Sequence, residues 1–128
     1  MTSSIPTLSS VILDEGNGSF SVRYDLDGPI PRTDAFLIGI NASSQDGKVT
    51  RQFGIKFLDG QPIGFFVFDH NAEKQQNFEY VQAIEDEKVI ITPYEIASYS
   101  QLGDHPILRA YVNYAGADLA TEIPVKVI

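Results

Sequence analysis

The sequence predicts an all-β fold, an antiparallel Greek-key β-sandwich of eight or nine short strands, with one short helix near 93–102. Three observations lead there. Apolar residues recur with a period of two in segment after segment, the spacing of a strand with one buried face. Gly, Pro, Asn and Asp interrupt those segments at intervals of about ten residues, as β-turns do. The 128 residues, 43% of them apolar, suit one domain that removes roughly two-thirds of its unfolded surface from water.

Taken in order, residues 1–7 read as a loose arm and residues 8–128 as the single domain. Ser9–Asp14 (SSVILD) is a short apolar edge strand, closed by the Glu15-Gly16-Asn17-Gly18 turn, where Asn and Gly accept positive φ at little cost. Ser19–Leu26 alternates cleanly, with Phe20, Val22, Tyr24 and Leu26 inward. Pro29 and Pro31 end it by removing ladder donors. Asp34–Ala42 places Phe36, Ile38 and Ile40 on one parity, with Gly39 on the other, where a neighbour packs close.

Residues 48–70 hold five of the eight phenylalanines and read as two extended runs joined at Asp59-Gly60. Val49, Phe53, Ile55 and Phe57 share one face. Phe65, Phe66, Val67 and Phe68 are consecutive, so they cannot all meet one core. Residues 69–77 are polar and read as an exposed loop. Strands follow near Phe78–Gln82 and at Lys88–Thr92. Thr92-Pro93-Tyr94-Glu95 has the form of a capping box with proline at the first helical position, and Ile96, Tyr99 and Leu102 recur at helical spacing before Gly103. These predict two to three helical turns. Ile107–Tyr114 is the next strand. Leu119–Ile128 is the last, with Leu119, Thr121, Ile123, Val125 and Val127 inward and Pro124 marking it as an edge.

The closing hairpin, AYVNYAGADLATEIPVKV, resembles the last two strands of fibronectin-type-III and immunoglobulin-like domains. The likeness spans only these residues and consists of alternation plus a glycine. Immunoglobulin domains proper carry paired cysteines and a core tryptophan, and this chain has neither.

Nine basic against seventeen acidic residues give a net charge of −8, a surface that repels nucleic acid and anionic membranes. With no cysteine there are no disulfides or thiolate sites. The N-terminus has no signal-peptide pattern, and a cytoplasmic location is favoured. No Gly-x-Ser-x-Gly, GxGxxG, P-loop or HExxH occurs. His70 and His105 each follow an Asp, but neighbours on a strand point to opposite faces, so neither pair is a dyad. The expectation is therefore no enzyme and no cofactor.

Asp25 and Asp27, two carboxylates before Gly28, are the weak metal candidates; the same sequence also makes a good turn. The aromatic surplus points to binding. Phe65, Phe66, Phe68, Tyr80 and Tyr94 are the candidates for an apolar surface, suited to a protein partner or to self-association. The alternative is a lectin-like module, in which these rings stack on carbohydrate with or without calcium.

Overall fold

The computed structural model describes residues 5–15, 19–78, 83–85, 88–95, 99–103 and 105–128. It contains β1 (Leu8–Glu15), β2 (Ser19–Leu26), β3 (Ala35–Ser43), β4 (Thr50–Leu58), β5 (Gln61–Asp69), β6 (Lys74–Phe78), β7 (Ala83–Glu85), β8 (Val89–Glu95), β9 (Ile107–Tyr114), β10 (Ala117–Pro124) and β11 (Lys126–Val127). Two sheets result. One has the order β11-β1-β2-β8-β7, the other β10-β9-β3-β4-β5-β6. All neighbours are antiparallel except β1 and β11, which pair in parallel.

The alternating residues close against one another between the sheets. Val22, Tyr24, Ile90 and Leu13 from the first sheet meet Phe36, Ile38, Ile40, Phe53, Ile55, Phe57 and Val112 from the second. At one end of this core five rings interlock. Phe20 stacks on Tyr94 at 5.2 Å and meets Phe53 edge-on at 5.3 Å, while Phe65 and Tyr99 close the cluster at 5.0 and 5.2 Å from Tyr94 and Phe20. Each such ring stabilises the fold by about 1.5–3 kcal/mol through burial. Arg51 seals that end of the sandwich. Its guanidinium donates to Asp69 Oδ1 (3.0 Å), Asn71 Oδ1 (3.1 Å), Gln101 Oε1 (2.7 Å) and the Thr50 carbonyl (3.1 Å).

The turns follow their chemistry. Asp59 and Gly60 have φ of 50° and 84°, the two positive values that a tight two-residue hairpin needs. Ala115 and Gly116 repeat this between β9 and β10, at 52° and 86°. In the β3–β4 loop, Asp46 accepts from Ser44 Oγ (2.6 Å) and the Lys48 amide (3.0 Å), and these bonds hold its carboxyl below the usual carboxylate range.

Several expectations are corrected. Among the described residues eleven strands stand where eight or nine were expected: β7 and β11 are separate short elements, the polar stretch expected as a loop contributes β6, and residues 79–82 of the strand expected near Phe78–Gln82 lie outside the described residues. Thr92–Glu95 is the end of β8 and starts no helix. Thr92 pairs with Val22 and Tyr94 with Phe20. The competition is one of magnitude. A cap contributes about 1 kcal/mol, whereas leaving Tyr94 out of the aromatic cluster forfeits about 1.5–3 kcal/mol of burial. Pro93 is tolerated because, among the described residues, β7 pairs only with Val89–Ile91 and leaves position 93 without a second neighbour. Of the expected helix, residues 96–98 lie outside the described residues. Tyr99–Gly103 form one turn, closed by Leu102 N to Tyr99 O and Gly103 N to Ser100 O.

The last strand is also not continuous. β10 belongs to one sheet and β11 to the other, and the chain crosses between them at half-buried Val125, just after Pro124. Two register shifts in β10 leave Leu119 (49% exposed) and Thr121 facing solvent, Val127 (45%) lies on the edge strand β11 of the other sheet, and of the expected inward set Ile123 and Val125 pack on the core. Of the arm expected over residues 1–7, residues 1–4 lie outside the described residues, and Ile5 packs against the core. Pro6 is buried, Thr7 N donates to Asp27 Oδ1 (2.9 Å), and Asp27 N donates to the Thr7 carbonyl (3.0 Å).

Candidate binding face

With the inward parity spent on the core, the other parity of β9, β3, β4 and β5 forms the outer face of the six-stranded sheet. Strand register sets its rows. One row crosses Tyr111, Gly39, Gly54, Phe66 and Asn77; the next crosses Arg109, Asn41, Gln52, Phe68 and Gln75. A third crosses Asn113, Leu37, Lys56 and Gly64.

The first row explains two glycines at mid-strand, where glycine otherwise weakens a sheet. Gly39 and Gly54 lie directly opposite each other, and the Tyr111 side chain extends over both. A Cβ on Gly39 would stand 2.5 Å from Tyr111 Oη and would also collide with the Phe53 carbonyl. A Cβ on Gly54 would stand 2.7 Å from both Tyr111 Oη and the tip of the Phe66 ring. The paired glycines thus make a trough that the two rings fill from opposite sides. Tyr111 is only 4% exposed, although it sits on the outer face. Gln52 Nε2 donates to its hydroxyl at 2.8 Å, and burial pushes the phenol well above its ordinary pKa.

Electrostatics set this face apart. The chain carries seventeen acidic residues, yet none occupies an outward position of β3, β4 or β9, nor Gly64, Phe66 or Phe68 of β5. The charges present there are cationic, Lys56 and Arg109. Asp118 and Glu122 stand at the rim on β10, where Asp118 accepts from Asn113 Nδ2 at 2.9 Å and Glu122 pairs with Arg109 at 4.0 Å. The remainder is amide and apolar: Asn41, Gln52, half-buried Leu37, Phe66 and Phe68, and at the margins exposed Leu58 and Ile107. Such a surface offers rings and hydrogen-bonding amides for contact.

The structure distributes the sequence candidates unevenly. Phe66 and Phe68 lie on this face. Phe65 (5% exposed) and Tyr94 (4%) do not, because register turns both inward to the aromatic cluster. Tyr80 lies outside the described residues. Asp25 pairs with Arg23 at 3.2 Å, and Asp27 caps the Thr7 amide; no third ligand joins them, and no metal-ligating cluster occurs among the described residues. His70 is exposed, with its ring edge-on to Phe68 at 4.8 Å. Exposed His105, at φ 54°, borders an open groove of about 450 Å³ with Glu15, Tyr99, Gly103, Pro106 and Val127. Tyr99 there is pushed up to about 12 by burial and by its hydrogen bond to Glu15. Sequence reasoning missed Tyr111 and Gln52 as parts of the face. Their only local signal is a pair of strand glycines on outward parity. No known protein family, curated protein or solved structure matches the chain.

Proposed function

We propose that this chain is a non-enzymatic, immunoglobulin-like binding module that engages a protein partner through the outer face of its six-stranded sheet. The observation that carries the reading is the carboxylate-free aromatic and amide surface on a chain of net charge −8. A surface kept clear of the prevailing charge can desolvate against a partner without burying unpaired anions. Phe66 and Phe68 supply the apolar anchors of such a contact, and Lys56 favours an acidic rim on the partner.

The immunoglobulin-like part rests on strand order. β1-β2-β8-β7 follows the A-B-E-D order of that fold, and β10-β9-β3-β4-β5 follows G-F-C-C′-C″ of its variable type, with β6 added at the edge. That order supports a Greek-key reading in which the proposed face belongs to the sheet extended by the two extra strands.

The test compares proteins captured by immobilised wild type, Phe66→Asp and Ser21→Asp, the last on the opposite sheet. A partner retained by wild type and Ser21→Asp but lost by Phe66→Asp is expected. A captured set that does not change with Phe66→Asp overturns the proposal. The second reading, a neutral carbohydrate stacked on Phe66 and Phe68, is favoured by the flanking amides of Gln52, Gln75 and Asn77. Asp25 and Asp27 are engaged within the chain, so this reading expects glycan-array binding that chelator leaves unchanged; a blank array removes it.

A further inference from the structure

Edge strands expose a row of unpaired backbone donors and acceptors, and natural sheets usually defend them with proline, bulges, charge or brevity. In this molecule the edges differ sharply in that respect. β11 has two residues and β7 three. β10 is defended in several ways at once, with Pro124, two register shifts, and Asp118 and Glu122. β6 carries much less. It runs for five residues, KQQNF, in unbroken register with β5 from Phe65↔Phe78 to Asp69↔Lys74, with no bulge, proline or carboxylate. Lys74 at its start is its one charge. Among the described residues β6 has no neighbour on its far side.

We propose that β6 is a strand-addition edge whose occupant is β6 of a second copy of this chain, joined antiparallel about a two-fold axis at Gln76. Side-chain chemistry selects that occupant, and charge confines where two copies can meet. Copies bearing −8 each repel across most of their surfaces, and β6 is a strip free of carboxylate where they can approach. Antiparallel pairing centred on Gln76 sets Gln75 of each copy across from Asn77 of the other, and Gln76 across from itself. Gln75 Nε2 and Asn77 Oδ1 already bond at 2.7 Å within one strand, so the same amide pair is available for a cross-strand ladder. The interface is isologous, and the two six-stranded sheets become one continuous sheet. This inference stands on the sheet edge and is independent of the partner proposed for the outer face.

Because Gln76 meets its own copy, a charge placed there meets a like charge. Sedimentation velocity over a wide concentration range should show wild-type dimer. Gln76→Lys and Gln76→Glu should each dimerise roughly three- to tenfold more weakly at low salt, and an equimolar mixture of the two should recover the dimer. Gln76 is exposed, so both variants retain the fold, which circular dichroism checks. Amide hydrogen exchange on wild type gives a second readout, with protection along 74–78 rising with concentration. Wild type that stays monomeric throughout overturns the proposal. So does a dimer that both Gln76 variants leave intact, and one lost in Phe66→Asp but kept in the Gln76 variants would lie on the outer face instead.

Discussion

Raising the pH should unfold this protein through its interior tyrosines. Tyr24, Tyr94 and Tyr111 are all buried, and burial holds each phenol well above its ordinary value of 10.0. The unfolded chain ionises them near pH 10. Above that point the unfolded state binds fewer protons than the folded one, so stability falls as pH rises, at about 1.4 kcal/mol per pH unit for each group. At about pH 11 the three together have removed roughly 4 kcal/mol, set against a total of about 5–15 kcal/mol for a domain. Below pH 10 the phenols are protonated in both states, and this dependence vanishes. The assay follows tyrosinate ultraviolet absorbance and β-sheet circular dichroism together. The buried phenols should ionise only as the sheet signal collapses, while Tyr24→Phe should move the transition upward by roughly half a pH unit. Ionisation of all six tyrosines near pH 10 with the sheet signal intact would refute the burial on which the reasoning rests.

Two further predictions concern stability. Gly39→Ala should cost about 2–3 kcal/mol, since its methyl meets the Phe53 carbonyl as well as Tyr111, and Gly54→Ala should cost less because the tips of Phe66 and Tyr111 are what must move; urea unfolding midpoints measure both, and equal effects would contradict the trough geometry. Arg51→Met should cost about 2–3 kcal/mol, below the 3–5 of a fully buried pair, because Asp69 keeps the amides of Asn71 and Ala72; a thermal melt with no shift would mean that Arg51 does not seal the core.

Within the proposed face, Phe66 and Phe68 were visible in the sequence because four consecutive apolar residues on one strand must send two to the far side. Which two was not visible. A strand of period two places either set inward with equal local comfort, and the choice fell to the register Ile55↔Phe65 and Phe53↔Val67. The same holds for Tyr111, whose role comes from lying across Gly39, more than seventy residues away in the chain.

What the sequence determined by itself is the local alternation and its punctuation: β2 and β9 at their observed bounds, the Asp59-Gly60 hairpin, the glycine at position 39, and a chain wholly committed to strands through most of its length. These depend on neighbours within a few residues, where side-chain parity and backbone φ preferences act. Tertiary structure decided the rest. It drew Thr92–Glu95 out of a locally plausible helix start because Tyr94 gains more from the rings of Phe20, Phe53 and Phe65 than from a cap. It also split the last strand between two sheets and set β9 beside the consecutive β3, β4 and β5 to complete the outer face. Burial and pairing between distant segments carry more free energy than any local preference, and no window of sequence contains both partners.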